Sequence, residues 1–224
     1  ALDAYCFLHR GKYACALDIL EGRPTEAFLG PVLEVIAALR ANGAEPFVVF
    51  DGGPLPAKHE VEVARRRVRQ EAHWRATTLM RSGLAGAKAE ATRLAPKAVE
   101  VTPEMAGRCM RKLEALGVPF VVAPCEADAQ LAQLALAGRV DVCATEDADL
   151  LAFGCPRVLF GLDSSGRGRE IKLADVSRTR SLSPYRASPE SLPDLCVLSG
   201  CDYLPAIPRI GIKTAAQLLH RSGG

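Results

Sequence analysis

Short apolar segments alternate with stretches of helical periodicity along most of this 224-residue chain. Residues 45–50, 120–123 and 140–144 are brief, β-branched or aromatic, and bounded by turn or acidic residues, so they predict buried strands of a parallel sheet. Apolar residues recur at helical spacing in the intervening stretches 5–20, 32–41, 102–117 and 126–137. This order predicts an α/β fold with a mostly parallel central sheet and helices on both faces.

Residues 57–95 interrupt this alternation with a long, charged helical stretch that breaks only at residues 82–83. The stretch holds nine Lys and Arg against four Asp and Glu, whereas the rest of the chain holds 19 against 22. We interpret it as a helical arch inserted over the sheet. A basic segment beside an acidic remainder indicates an anionic partner that is gripped in one place and processed in another.

The N-terminus and the C-terminal third of the chain depart from the strand–helix alternation. The first three residues run directly into a helical pattern, so we expect a truncated N-terminus whose first strand is incomplete. Residues 161–187 are rich in Ser, Arg and Gly and predict a hairpin or loop excursion. Residues 205–214 predict a turn, and residues 215–220 a short helix after it.

Cysteine usage and hydropathy narrow the class of protein. None of the eight cysteines forms a C-x-x-C pair, which argues against a zinc site and against a disulfide framework. Reduced thiols fit a cytosolic or nuclear protein. No apolar run reaches the roughly 20 residues needed to span a bilayer, so no membrane partner is expected.

Seven acidic residues follow the predicted strands. Because ligands of open parallel sheets sit beyond the carboxyl ends of the strands, we expect these side chains to converge on one edge. Any one of them could instead be a helix cap, and Asp128 in the first turn of its helix fits that interpretation best. Glu146 is left out, because alternation should turn it away from its neighbours. The seven are Asp3, Asp51, Glu126, Asp128, Asp147, Asp149 and Asp202.

So many carboxylates at one edge would repel one another and raise several of their pKa values. Divalent cations remove that difficulty, and a set of oxygen ligands without His or Cys selects Mg²⁺ or Mn²⁺ over zinc. Two such ions roughly 4 Å apart can activate a water and stabilise the leaving oxygen in phosphodiester cleavage. The sequence therefore predicts a two-metal phosphodiester hydrolase.

Basic residues follow Asp51 at helical intervals. Lys58, Arg65 and Arg69 are spaced so that they share one helix face near the predicted metal site. A cation there can hold the scissile phosphate and offset charge in the transition state. Arg66 and Arg67 are interpreted as part of a solvated face.

Four ordered motifs resemble those of the flap-endonuclease (XPG-like) superfamily. They are VFDGG at 49–53 with LPAK at 55–58, APCEADAQLA at 123–132, TEDADLLAFG at 145–154 and LSGCDYL at 198–204. The segment YCFLH at 5–9 and the acid pair Glu126 and Asp128 resemble the exonuclease 1 branch. The resemblance implies a PIN-like fold and a nuclear Mg²⁺-dependent 5′→3′ exonuclease for double-stranded DNA, with 5′-flap endonuclease capability and a role in DNA repair and recombination.

The resemblance also implies roles for residues. All seven acids match metal ligands, and Lys58 and Arg65 match a basic pair that contacts the scissile phosphate. Residues 203–224 resemble part of a helix–two-turn–helix element that binds duplex DNA with the help of K⁺, at Ser199 and the Ile210 backbone. The nuclease core would then be residues 1–202, with the arch at 57–95. The DNA contacts expected from the resemblance are Tyr5, His9, Arg69, Ser199, Ile210, Gly211 and Lys213.

The chain departs from the family pattern in three places. Arg209 stands where a glycine is expected, which costs on the order of 1 kcal/mol if φ is positive. The usual Met-Gly start and the long tail that contacts mismatch-repair proteins are both absent. Two alternatives stay open: a flap or junction endonuclease of the same superfamily, and a catalytically disabled DNA-binding fragment. We expect a monomer that binds duplex DNA with 5′ ends, gaps or flaps.

Overall fold

The computed structural model of the protein describes residues 1–180, 182–185 and 187–222. These residues form a six-stranded sheet in the order β3-β2-β1-β4-β5-β6. Neighbouring strands are parallel from β3 to β5, and only the β5–β6 pair is antiparallel. The strands are β1 (Leu2–Asp3), β2 (Val48–Phe50), β3 (Phe120–Val122), β4 (Cys143–Ala144), β5 (Arg157–Phe160) and β6 (Arg169–Lys172).

Helices connect the strands and extend the chain beyond the sheet. Thr102 begins α5 as predicted, because its Oγ1 accepts a hydrogen bond from the Met105 N–H at 3.2 Å. No helix in the described part of the chain is both long and apolar enough to cross a membrane. The helices are α1 (Ala4–Leu20), α2 (Gly30–Ala41), α3 (His59–Ser82), α4 (Ala87–Ala98), α5 (Pro103–Ala115), α6 (Ala127–Leu136), α7 (Asp149–Ala152), α8 (Leu192–Ser199) and α9 (Ile212–Ser222).

Helices cover both faces of the sheet, which confirms the predicted fold class. Val48 and Phe50 pack into a cluster with residues of α1, α2 and α5, whereas Val49 packs into a second cluster with α6. Successive residues of a strand point to opposite faces, so three residues of β2 reach both layers of the core.

Two strand predictions need correction. The hairpin expected within 161–187 starts earlier, because its strands are β5 at Arg157–Phe160 and β6 at Arg169–Lys172. The strands predicted at 45–50 and 140–144 begin only at Val48 and Cys143. Register pairing with the neighbouring strands begins at these two residues, although the Phe47 carbonyl still accepts a hydrogen bond from the Leu2 N–H at 2.8 Å.

The predicted arch at 57–95 is a helical hairpin of α3 and α4. Gly83 and Gly86 have φ of 64° and 80° in the turn between the helices, a conformation that glycine adopts without strain. Ala95 of α4 packs against Ala16 of α1. The buried Lys12 of α1 donates a hydrogen bond to the Val99 carbonyl at 2.9 Å, at the end of α4. The hairpin is therefore anchored on α1.

The C-terminal segment packs on α8. Leu195 of α8 and Ala215 and Ala216 of α9 share a small buried cluster. Between the two helices Cys201 and Leu204 exchange backbone hydrogen bonds of 3.2 Å. The proposed division between residues 202 and 203 falls within this turn and stays a prediction.

Arg209 carries backbone strain in this segment. Its φ of 67° is the one positive value at a non-glycine position in the described ranges. We expect Arg209→Gly to raise the free energy of unfolding by about 0.5–1 kcal/mol, which is the relieved strain less the extra freedom of glycine in the unfolded chain. Urea unfolding measures the change, with Arg209→Ala as the control, because alanine removes the guanidinium but keeps the Cβ. An equal gain in both variants would show that the side chain, not φ, is unfavourable.

Candidate active site

A cleft of about 700 Å³ opens at the carboxyl ends of β1, β2, β3 and β4. It lies where the strand order reverses, since β1 is flanked by β2 on one side and by β4 on the other. The cleft brings together six of the seven predicted acids. They are Asp3, Asp51, Glu126, Asp128, Asp147 and Asp202.

Gly52 allows the loops after β2 and β3 to meet. A Cβ at this position would lie 1.8 Å from the Ala123 carbonyl oxygen, which no other residue type could avoid without moving the backbone. This close approach places Asp51 beside the start of α6, where its Oδ1 accepts a hydrogen bond from the Ala127 N–H at 2.7 Å. Burial raises the pKa of Asp51, and the charge of Glu126 adds to the effect.

Asp3 joins β1 to two other parts of the cleft. Its Oδ1 accepts from the Tyr5 N–H at 2.9 Å and so caps α1, while its Oδ2 accepts from Thr145 Oγ1 at 3.0 Å. Thr145 Oγ1 in turn accepts from the Asp147 N–H at 3.1 Å. Burial, followed by the charge of Asp51, raises the pKa of Asp3 to about 6. Sequence reasoning missed Thr145, although it begins the TEDADLLAFG motif.

Asp128 is not the helix cap that its position suggested. Its Oδ1 is buried without a hydrogen-bond partner among the described residues. Burial raises its pKa to about 8, and the charges of Asp3, Asp147 and Asp51 contribute. An oxygen that is buried, unpartnered and surrounded by other carboxylates is costly unless a cation is present.

Lys58 and Arg65 both face the acids. Lys58 Nζ lies 2.8 Å from Glu126 Oε1 and 3.6 Å from Asp202 Oδ2, and only 7% of its side chain is exposed. Arg65 Nη2 donates to Asp202 Oδ2 at 2.8 Å. Burial alone would lower the pKa of Lys58, but the contacts with Glu126 and Asp202 outweigh burial and raise it. Lys58 therefore stays charged at neutral pH.

Tyr203 is a second residue that sequence reasoning missed. Its hydroxyl donates a hydrogen bond to Glu126 Oε2 at 2.8 Å, and its ring centroid lies 4.7 Å from Lys58 Nζ. The sequence signal was its place directly after Asp202 in the LSGCDYL motif.

The donor set fits a hard divalent cation, although the acids are turned to other partners. Within the described ranges, no three His, Cys, Asp or Glu side chains form a group that could hold a metal ion as they stand. Backbone N–H groups, Lys58 and Arg65 engage these oxygens instead. Seven carboxylates nevertheless line the cleft against three Lys and Arg side chains. This excess charge and the unpartnered Asp128 oxygen suit Mg²⁺ or Mn²⁺.

The seventh predicted acid, Asp149, begins α7 and is not among the residues that line the cleft. Its N–H donates to Asp147 Oδ1 at 2.9 Å. Burial raises the pKa of Asp149, as does the charge of Asp147, so the two carboxylates are close neighbours. The metal-binding role of all seven acids stays a prediction.

The side chains that line the cleft also include Tyr5, His9 and Glu146. Tyr5 and His9 are there, where the resemblance places substrate contacts. Burial, followed by the charge of Lys12, lowers the pKa of His9 to about 4, so its imidazole is neutral at pH 7. Glu146 lines the cleft although alternation was expected to turn it away. Its Oε1 accepts hydrogen bonds from Arg10 Nη2 at 2.8 Å and from the Gly161 N–H at 3.1 Å, which hold the side chain there.

The other predicted DNA contacts lie outside the cleft. Arg69 pairs with Glu100 at 3.0 Å rather than with the acids. The Ser199 hydroxyl donates to the Leu195 carbonyl at 2.6 Å within α8, and the Ile210 N–H donates to the Ile207 carbonyl at 3.0 Å. The remaining contacts flank or begin α9 and are exposed: Gly211 and Lys213.

Two family models match the chain. The XPG N-terminal domain matches residues 1–72, and the XPG I-region matches residues 117–202. The first contains Asp3, Asp51 and Lys58, and the second contains the other five acids. Together they cover more than half of the chain, and the chain belongs to the XPG family of nucleases.

Within that family the chain is of the exonuclease 1 type. Exonuclease 1 of Arabidopsis thaliana is 39% identical over 221 residues, which cover 99% of this chain and 30% of that protein. The chain thus spans less than a third of the length of this relative. The structure of flap endonuclease-1 from Methanococcus jannaschii matches with a TM-score of 0.66 at 29% identity. The matched region covers 99% of this chain and 70% of that structure's chain. The catalytic core of Rad2 in complex with DNA substrate has a TM-score of 0.69 at 22% identity, covers 100% of this chain and 61% of its own, and shows the fold alone.

Proposed function

We propose that this chain is the catalytic region of a Mg²⁺-dependent 5′→3′ exonuclease that acts on double-stranded DNA and also cuts 5′ flaps. The observation that carries the proposal is the acidic cleft with the buried, unpartnered Asp128 oxygen, faced by Lys58 and Arg65. The similarity to exonuclease 1 of Arabidopsis thaliana over nearly the whole chain supports it. The products are 5′-phosphomonoesters.

The charges of the cleft require a cation before DNA can approach. Its excess of carboxylates repels a phosphodiester. When two Mg²⁺ ions, or Mn²⁺ in their place, are bound, they supply positive charge and lower the pKa of water. Lys58 and Arg65 then turn from the acids to hold the scissile phosphate, with Tyr5 and His9 against the neighbouring nucleotides. The acids would fix the positions of the bound cations relative to the scissile phosphate, so we expect cleavage to depend on where the acids lie.

The wider context follows from the same family. We propose that duplex DNA continues along α8 and α9, with Arg69, Gly211 and Lys213 near its backbone and K⁺ at Ser199 and Ile210. We further propose that the protein is a nuclear monomer that works on 5′ ends, gaps and flaps with mismatch-repair proteins. Lys213 is exposed and does not line the cleft, which suits a contact with backbone phosphates rather than with the cut bond.

A cleavage assay tests the activity. The substrate is a duplex with a recessed 5′ end, labelled at the 3′ end of the recessed strand, with Mg²⁺ or with EDTA. We expect a ladder of shortened labelled products with Mg²⁺ only, and no ladder from Asp149→Ala. A matched duplex with a single-stranded 5′ flap separates the two enzyme types by comparison, since a flap endonuclease cuts the flap but does not shorten the recessed 5′ end into a ladder. Salt-sensitive DNA binding without cleavage under any divalent cation would instead identify a DNA-binding chain without activity.

A further inference from the structure

The carboxylate of Glu126 is held at both oxygens by different side chains. Lys58 Nζ lies 2.8 Å from Oε1, and the Tyr203 hydroxyl donates to Oε2 at 2.8 Å. Glu126 is only 21% exposed and makes no cap hydrogen bond to α6, so these two contacts determine where its oxygens point.

Tyr203 is itself fixed in place. It lies in the turn closed by the two hydrogen bonds between Cys201 and Leu204. The Phe153 ring meets its ring at a centroid distance of 6.4 Å and an interplanar angle of 72°, an edge-to-face contact. The Lys58 ammonium also contacts the Tyr203 ring, 4.7 Å from the ring centroid and within the range of a cation–π interaction.

We propose that Tyr203 is a positioning residue for Glu126 in metal binding. Its O–H fixes Oε2, which leaves Oε1 as the oxygen that a divalent cation can take once Lys58 turns to the substrate phosphate. Its ring continues to contact the Lys58 ammonium inside the cleft while Lys58 moves from Glu126 to the substrate phosphate. The proposal rests on the proposed function, because it takes Glu126 as a metal ligand.

The physical reason is general to metal sites. A hydrogen bond from an outer residue to a ligand fixes the orientation of that ligand, and its loss typically costs 10- to 100-fold in metal affinity or activity. Tyr203 satisfies the geometric requirement, since its O–H reaches one oxygen of Glu126 and not the other. Phenylalanine at this position would keep the contacts of the ring with Phe153 and Lys58 and lose only the hydrogen bond.

Mn²⁺ binding in the absence of DNA tests the proposal. Electron paramagnetic resonance or calorimetry gives the Kd for wild type, Tyr203→Phe, Glu126→Gln and the double variant. We expect Tyr203→Phe to raise the Kd by about 10-fold or more. We expect the double variant to bind no more weakly than Glu126→Gln alone, because the tyrosine acts through that carboxylate. Tyr13→Phe is the matched control: Tyr13 lines the same cleft, is 66% exposed, and its hydroxyl has no hydrogen-bond partner in the described part of the chain.

The outcomes separate this inference from the function on which it rests. An unchanged Kd in Tyr203→Phe, with wild type binding Mn²⁺ and cutting DNA, overturns the role of Tyr203 alone. Losses that simply add in the double variant overturn it too, because they indicate a general structural effect. Wild type that binds no Mn²⁺ overturns the metal-dependent function together with the inference. Thermal melts of all five proteins confirm that each is folded.

Discussion

Replacing Asp128 with asparagine is expected to impair DNA cleavage severely and yet to stabilise the protein in EDTA. Cleavage should fall by a factor on the order of 10³, because the site loses charge where the transition state needs a fixed cation. Stability should rise because Asp128 is buried beside Asp3, Asp147 and Asp51, so that its charge opposes folding when no cation is bound. Asparagine keeps nearly the same shape without that charge.

The sign of the pH dependence follows from the raised pKa. The ordinary value for Asp128 is 3.8, and in the folded protein it is about 8. The folded state therefore holds a proton that the unfolded state releases. The contribution of Asp128 to the free energy of unfolding is fully present below pH 4 and is lost as the pH rises through about 8. At pH 8 the difference between wild type and Asp128→Asn should reach a few kcal/mol in EDTA, and at pH 4 it should vanish.

Urea unfolding in EDTA at pH 4, 6 and 8 measures this effect. Asp194→Asn is the matched control, since Asp194 is an exposed acid in the first turn of α8 and lies outside the cleft. It should change stability little at any of the three pH values. Asp3, whose pKa is raised to about 6, adds a smaller loss between pH 4 and 6 in every protein. If Asp128→Asn is less stable than wild type at pH 8, the charge of Asp128 does not oppose folding and the prediction is wrong.

The position of the cleft could be predicted from the sequence because it depends on local signals. Asp51 and Asp147 follow short apolar runs, and strand ends of a parallel sheet meet at one edge whatever the details of packing. The resemblance to exonuclease 1 could likewise be recognised from the sequence, because it rests on short contiguous motifs. Helix ends were predictable for a similar reason, as Thr102 shows with its capping hydroxyl three residues from Met105.

The contacts inside the cleft could not be predicted, because their partners are far apart in sequence. Tyr203 and Glu126 are separated by 77 positions, and Thr145 and Asp3 by 142. Asp128 shows a related limit. Its place in the first turn of α6 suggested a cap, but burial and neighbouring charge depend on packing that no local pattern contains.

Replacing Lys58 with methionine is expected to impair cleavage and to tighten metal binding. Cleavage should fall about 10²- to 10³-fold, as for the loss of one group that stabilises transition-state charge. The affinity for Mn²⁺ should rise, because Glu126 Oε1 loses the ammonium that lies 2.8 Å away and the cleft loses one of its three Lys and Arg side chains. Lys58 thus competes with the cation for the same oxygen before substrate arrives.

Opposite changes in the two quantities are what identify this competition. A lysine that only supported the fold would lower metal affinity and cleavage together when removed. Arg65→Met is the matched comparison, because Arg65 contacts Asp202 but not Glu126, and 52% of its side chain is exposed. It should reduce cleavage, should raise the affinity for Mn²⁺ less than Lys58→Met does, and should cost less than about 1 kcal/mol of stability. Weaker Mn²⁺ binding by Lys58→Met would contradict the competition and show that Lys58 helps to assemble the acids.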